Sequence, residues 1–137
     1  MHSDVQASYA HISGEMNGEM RNKLHYEIHG LTSPDAPTIV FSSGLGGAAK
    51  FWQPQLGDFA QDYRVITYDH YGTNKSVGDL PANYSISHMA DELAALLRKL
   101  EVQACHFVGH ALGGLVGLEL ALSKPKLLQS LVLVNAW

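Results

Sequence analysis

A chain of 137 residues with 46% apolar side chains is long enough for one domain with a substantial core and too apolar to be a disordered segment. Thirteen acidic against nine basic side chains leave a formal charge of -4 with no basic run, which argues against nucleic acid or an anionic membrane surface as a partner. The single cysteine, Cys105, excludes a disulfide within the chain, and its apolar surroundings predict a core residue. Met1 to Met20 carries Asp4, Glu15 and Glu19 and no continuous apolar run, so it does not read as a signal peptide. Phe107 to Leu122 is interrupted by His110, glycines and Glu119 and is too short to cross a bilayer, so a cytoplasmic protein is expected.

In chain order, residues 1–23 are weakly patterned, a leader or a hairpin turned at Asn17-Gly18. Leu24 to His29 alternates apolar and polar residues, the period of a half-buried antiparallel strand near a sheet edge. His25, Glu27 and His29 are expected on a solvated strand face, since no other cluster at metal-ligand spacing accompanies them. Leu31 to Pro37, with Ser33-Pro34-Asp35, is a loop. Thr38 to Phe41 is a continuous apolar run, as in a strand covered on both faces, and points to a parallel sheet flanked by helices. The glycine-rich stretch after it, Ser42 to Gly47, lacks the Gly-Lys-Ser/Thr end of a Walker loop and matches no dinucleotide fingerprint. Its remaining use is to expose backbone N–H groups at the end of a central strand.

Phe51-Trp52 and Leu56 to Tyr63 predict a short helix, and Arg64 to Tyr68 a strand that ends in the polar loop Asp69 to Ser76. Ile86, Met89, Leu93, Leu96, Leu97 and Leu100 recur at helical spacing behind Ser85, a good N-cap. Asp91, Glu92, Arg98 and Lys99 are expected on the far side of that helix, and His88 in its first turn as exposed. Val102 to Val108 reads as a strand, Leu112 to Ser123 as a central buried helix stopped by Lys124-Pro125, and Leu127 to Val134 as a last strand. The alternation predicts a doubly wound α/β sheet whose loops meet in a crevice at the carboxyl ends of the parallel strands.

Gly109-His110-Ala111-Leu112-Gly113 stands where strand turns into helix, at the spacing of a nucleophile elbow. The central residue of such a turn takes positive φ, and close backbone approach explains the glycines. Serine, cysteine or aspartate normally occupies that centre; here it is Ala111, so no acyl-enzyme can form.

Ser43-Gly44-Leu45-Gly46-Gly47, Asp69-x-x-Gly72-x-x-x-Ser76 and the elbow together resemble the amino-terminal half of an α/β-hydrolase, over about Leu24 to Trp137. The resemblance implies a mostly parallel sheet with helices on both faces, truncated after the strand that follows the elbow. Ser43 stands where many relatives have histidine, and Tyr71 and Asn74 replace the usual arginine and glycine. The family's acid and histidine come later in chain order, so none of the eight histidines takes that role, and residues 1–137 alone are expected to hydrolyse nothing. His110 is read as a supporting or substrate-contacting residue.

Trp52 with Pro54-Gln55-Leu56, Tyr84-Ser85-Ile86, Val134-Asn135 and the elbow alanine itself are similar to the branch that serves bacterial uracil breakdown. That branch implies 3-aminoacrylate or carbamate as a small-molecule substrate, with no metal or cofactor. Leu45 and Leu112 then supply backbone N–H groups for a developing oxyanion beside Gly44, and a water molecule takes the place of a serine hydroxyl. Two alternatives stand beside this: a non-catalytic binding protein, and a serine hydrolase whose elbow serine was replaced by alanine. A homodimer is compatible with all three.

Overall fold

Continuous apolar runs make the middle of the sheet, and weaker patterns make its margins. The computed structural model describes residues 5–11 and 23–136, with strands β1 (Val5–His11), β2 (Lys23–Gly30), β3 (Thr38–Ser42), β4 (Arg64–Tyr68), β5 (Cys105–His110) and β6 (Leu128–Val134). Helices α1 (Gln53–Phe59), α2 (Ile86–Lys99) and α3 (Leu112–Ser123) link the later strands. The six strands form one sheet in the order β1-β2-β4-β3-β5-β6. β1 and β2 join it antiparallel, and β4, β3, β5 and β6 run parallel.

All five residues of β3 and all five of β4 are buried. Side chains alternate across a strand, so Val40, Ile66 and Phe107 join one apolar cluster while Ile39, Phe41 and Val65 join the other. The first cluster is covered by Leu93, Leu96 and Leu97 of α2 and by Val116 and Leu120 of α3. The second is covered by Trp52 and Leu56, from the 3₁₀ turn Ala49–Trp52 and α1. Each such Leu, Ile or Phe contributes about 1.5–3 kcal/mol on burial. From β3 the chain crosses through α1 to β4 on one side, then through α2 to β5 on the other. That reversal beside β3 is the switch point at which α/β sheets open a crevice.

Several elements differ from the sequence pattern. Val5–His11 forms the edge strand β1, whereas the predicted Asn17-Gly18 turn lies outside the described residues. His25 and His29 are buried, so the predicted solvated face is overturned. The loop after β4 folds onto His25, whose backbone N–H donates to Ser76 Oγ at 2.8 Å, and His29 Nε2 lies 3.1 Å from Glu27 Oε1. Among the described residues no group of three or more His, Cys, Asp or Glu gathers as metal ligands.

The helix predicted from Phe51-Trp52 and Leu56 to Tyr63 begins with the 3₁₀ turn Ala49–Trp52 and continues as α1, with proline in its first turn, but ends at Phe59 rather than Tyr63. The strand predicted from Val102 starts at Cys105. α2 closes first, with Glu101 at φ 61° and the N–H groups of Glu101 and Val102 on the carbonyls of Arg98 and Leu97, a Schellman close. Glu92 is not on a free outer face: Tyr84 donates to its carboxylate, and burial raises the Glu92 pKa. His88 is exposed as predicted, and its ring completes a capping box with Ser85. α3 buries Gly113, Gly114, Val116, Gly117 and Leu120 but leaves Leu118 and Leu122 exposed, because only its small-residue side meets the sheet. Cys105 is fully buried, which pushes its thiol up to about 12. No helix among the described residues is long and apolar enough to cross a membrane.

Candidate active site

Three turns leave the carboxyl ends of neighbouring parallel strands: residues 43–48 after β3, 69–76 after β4, and the elbow after β5. The elbow has the geometry its spacing predicts. Ala111 caps α3 at φ 53° and ψ -118°, a conformation that costs on the order of 1–3 kcal/mol. Its N–H donates to the Val134 carbonyl at 2.9 Å, and its own carbonyl accepts from Gly114 at 2.9 Å and Leu115 at 3.3 Å. None of these bonds involves the side chain.

Close packing completes the hold. A Cβ on Gly109 would lie 2.5 Å from the Gly113 carbonyl oxygen, and one on Gly113 would lie 2.1 Å from that of Ser42. Only glycine fits between α3 and the ends of β5 and β3, so the turn is over-determined by backbone contacts.

The loop after β3 is brought against the elbow. A Cβ on Gly44 would be 3.2 Å from the Ala111 Cβ and 3.4 Å from His110 Nδ1. Gly44, His110 and Ala111 are therefore neighbours, and Leu45 and Leu112, each one residue further on, lie on adjoining backbone segments. Leu112 opens α3, so its N–H has no carbonyl partner within the helix. Leu45 is 79% exposed. His110 is half-buried and stacks on Phe51 with ring centroids 4.8 Å apart, so Phe51 lies beside the elbow, a neighbour that periodicity did not reveal.

The loop after β4 is a polar clasp in which Asp69, His70 and Ser76 are buried. Asp69 Oδ1 accepts from Ala49 N–H at 2.9 Å and Oδ2 from Lys75 N–H at 3.2 Å. Ser76 Oγ donates to the Asp69 carbonyl at 2.7 Å. Asn74 Nδ2 donates to the Gly47 carbonyl at 3.2 Å, and His70 Nε2 lies 2.7 Å from the Ser43 carbonyl. Burial holds the His70 imidazole below its usual 6.5, partly opposed by that bond. Two cavities, about 670 Å³ beside Glu27 and His29 and about 430 Å³ beside Arg98 and Lys124, have no elbow residue in their walls.

Known proteins share this fold. The alpha/beta hydrolase fold family matches residues 37–137, and the chain belongs to that family. Within it, RutD of Stutzerimonas stutzeri, named for a proposed carbamate hydrolase activity, is 65% identical over 114 residues, 83% of this chain and 43% of that protein. RutD of Agrobacterium fabrum is 47% identical over 83% of this chain and 44% of its own length. A hydrolase from Pseudomonas aeruginosa superposes with a TM-score of 0.83 at 30% identity, covering 96% of this chain and 46% of that structure. The enol-lactonase of Burkholderia xenovorans does so with a TM-score of 0.81 at 29% identity, over 94% and 46%. The chain thus spans less than half the length of these relatives.

Proposed function

We propose that the protein is a hydrolase of a small carbon–nitrogen substrate, 3-aminoacrylate or carbamate, acting in uracil breakdown without a covalent intermediate. One observation carries this: the elbow keeps its strained turn, its glycine contacts and its neighbouring glycine loop although residue 111 has no nucleophile. A strained backbone held by its surroundings supports a functional site at this turn. The relationship to RutD, named for a proposed carbamate hydrolase activity, supports the carbamate reading.

With carbamate, a water molecule adds to the carboxyl carbon and the oxygen that gains charge sits between the N–H groups of Leu45 and Leu112. Each well-placed donor of this kind lowers the barrier by about 3 kcal/mol. The carbon–nitrogen bond then breaks as nitrogen takes up a proton and leaves as ammonia. Ala111 leaves the volume of a hydroxyl free for the attacking water, and His110 against Phe51 shapes the wall beside it.

The test is turnover of freshly generated 3-aminoacrylate, and separately of carbamate, by the full-length protein against a no-protein control. Acceleration of either reaction above the spontaneous rate is the expected result. Retention of intact substrate at or below the spontaneous rate would replace this function with that of a binding protein.

A further inference from the structure

We infer that His70 is a positioning residue, which sets the direction of the Leu45 N–H by holding the Ser43 carbonyl. This rests on the assignment of Leu45 as an oxyanion donor under the proposed function, and adds to it the residue that aims the donor.

His70 is 3% exposed, and its Nε2 lies 2.7 Å from the Ser43 carbonyl oxygen. A carbonyl can only accept, so Nε2 carries the proton. The ring stands edge-on to Tyr68, with centroids 5.1 Å apart and planes at 83°, and the Tyr68 hydroxyl is 2.6 Å from Ser42 Oγ. Ring position is thus fixed by the end of β4, and through it the Ser43–Gly44 peptide plane.

The next peptide is fixed from its other side. Gly47 N–H donates to the Gly44 carbonyl at 3.0 Å. The Gly44 carbonyl and the Leu45 N–H belong to one planar trans peptide unit and point in opposite directions. With Ser43 held by His70 and Gly44 held by Gly47, the Leu45 N–H is turned out of the tight turn and has no freedom to follow the exposed Leu45 side chain. Asp69 and Asn74 anchor the far end of the loop at Ala49 and Gly47, but neither touches the Ser43–Gly44 unit. His70 alone among these clasp side chains bonds there.

The experiment compares the full-length wild type with His70→Phe, which keeps an aromatic ring on Tyr68 without a donor, and His70→Gln, whose amide N–H has about the reach of Nε2. Amide exchange followed by NMR is expected to quicken about tenfold at Gly47, whose N–H is bonded to the Gly44 carbonyl, in His70→Phe, to return towards wild type in His70→Gln, and to stay unchanged in β5 and α3. The ¹⁵N spectrum is expected to show the Nε2–H tautomer at His70. In turnover, kcat should fall about tenfold or more in His70→Phe with KM nearly unchanged, and recover in His70→Gln. Unchanged loop exchange in His70→Phe, or an Nδ1–H tautomer, would overturn the assignment whether or not the protein turns over substrate. A wild type without turnover, together with the expected exchange pattern, would instead refute the proposed function and leave the positioning role standing.

Discussion

The elbow after β5 and the glycine loop after β3 lie side by side, yet they are held by opposite means. Gly109 and Gly113 bring backbone against backbone, and every bond to Ala111 is made by its main chain. The loop over Ser43 to Ala49 is instead tied by side chains 20 or more residues away: Asp69, His70 and Asn74. A turn locked by sterics does not depend on the side chain at its tip, which is how alanine can occupy the nucleophile position with the turn intact. A loop locked by hydrogen bonds depends on each partner. Alanine in place of a nucleophile therefore leaves the elbow's shape alone, while the donors of the glycine loop stay open to change from a neighbouring strand.

Overfilling the elbow should have the largest effect. In Gly113→Ala the new Cβ meets the Ser42 carbonyl at 2.1 Å and its oxygen belongs to buried backbone that cannot rotate away. A loss of about 3 kcal/mol or more is expected, read as a lower urea midpoint with unchanged m-value. Stability close to wild type would mean that the turn relaxes easily and that the sterically locked half of the comparison is wrong.

An intermediate effect should follow from cutting the clasp. Asp69→Ala strips the acceptor from the amides of Ala49 and Lys75, at about 1–3 kcal/mol for the buried Ala49 donor left unpaired and little for Lys75, which water can reach. Exchange should quicken at Ala49 and Lys75 and not at Ala111 or Leu115. Quickening at the elbow as well would show that the two turns are one cooperative unit.

These two modes of holding also mark what was legible in the sequence. β3, β4, α2 and α3 were readable because burial on one or two faces writes a period into the chain, and the elbow because close approach demands glycine at fixed spacing. β1 was not, since Val5 to Tyr9 are exposed on an edge and leave no burial pattern. His25 and His29 misled for a related reason: alternation gives two faces but not whether a loop covers the second. His70 gave no signal at all, because its role lies in one bond to a backbone carbonyl 27 residues earlier, and backbone acceptors have no sequence signature. The exposed Leu118 and Leu122 show the limit of composition alone, since an apolar helix need not be buried all round.

The smallest change in stability and the sharpest test of the central claim come from one variant, Ala111→Ser in the full-length protein. Serine inherits a positive φ that the surroundings already impose, so the urea midpoint should move by no more than about 0.5 kcal/mol equivalent. Intact mass after treatment with a serine-directed phosphonate reads the site itself. The account predicts one adduct on Ala111→Ser, none on the wild type, and loss of native turnover as the hydroxyl takes the place of water. A well-folded Ala111→Ser that stays unlabelled would contradict it, by showing that the elbow no longer presents its centre to a base and an oxyanion hole.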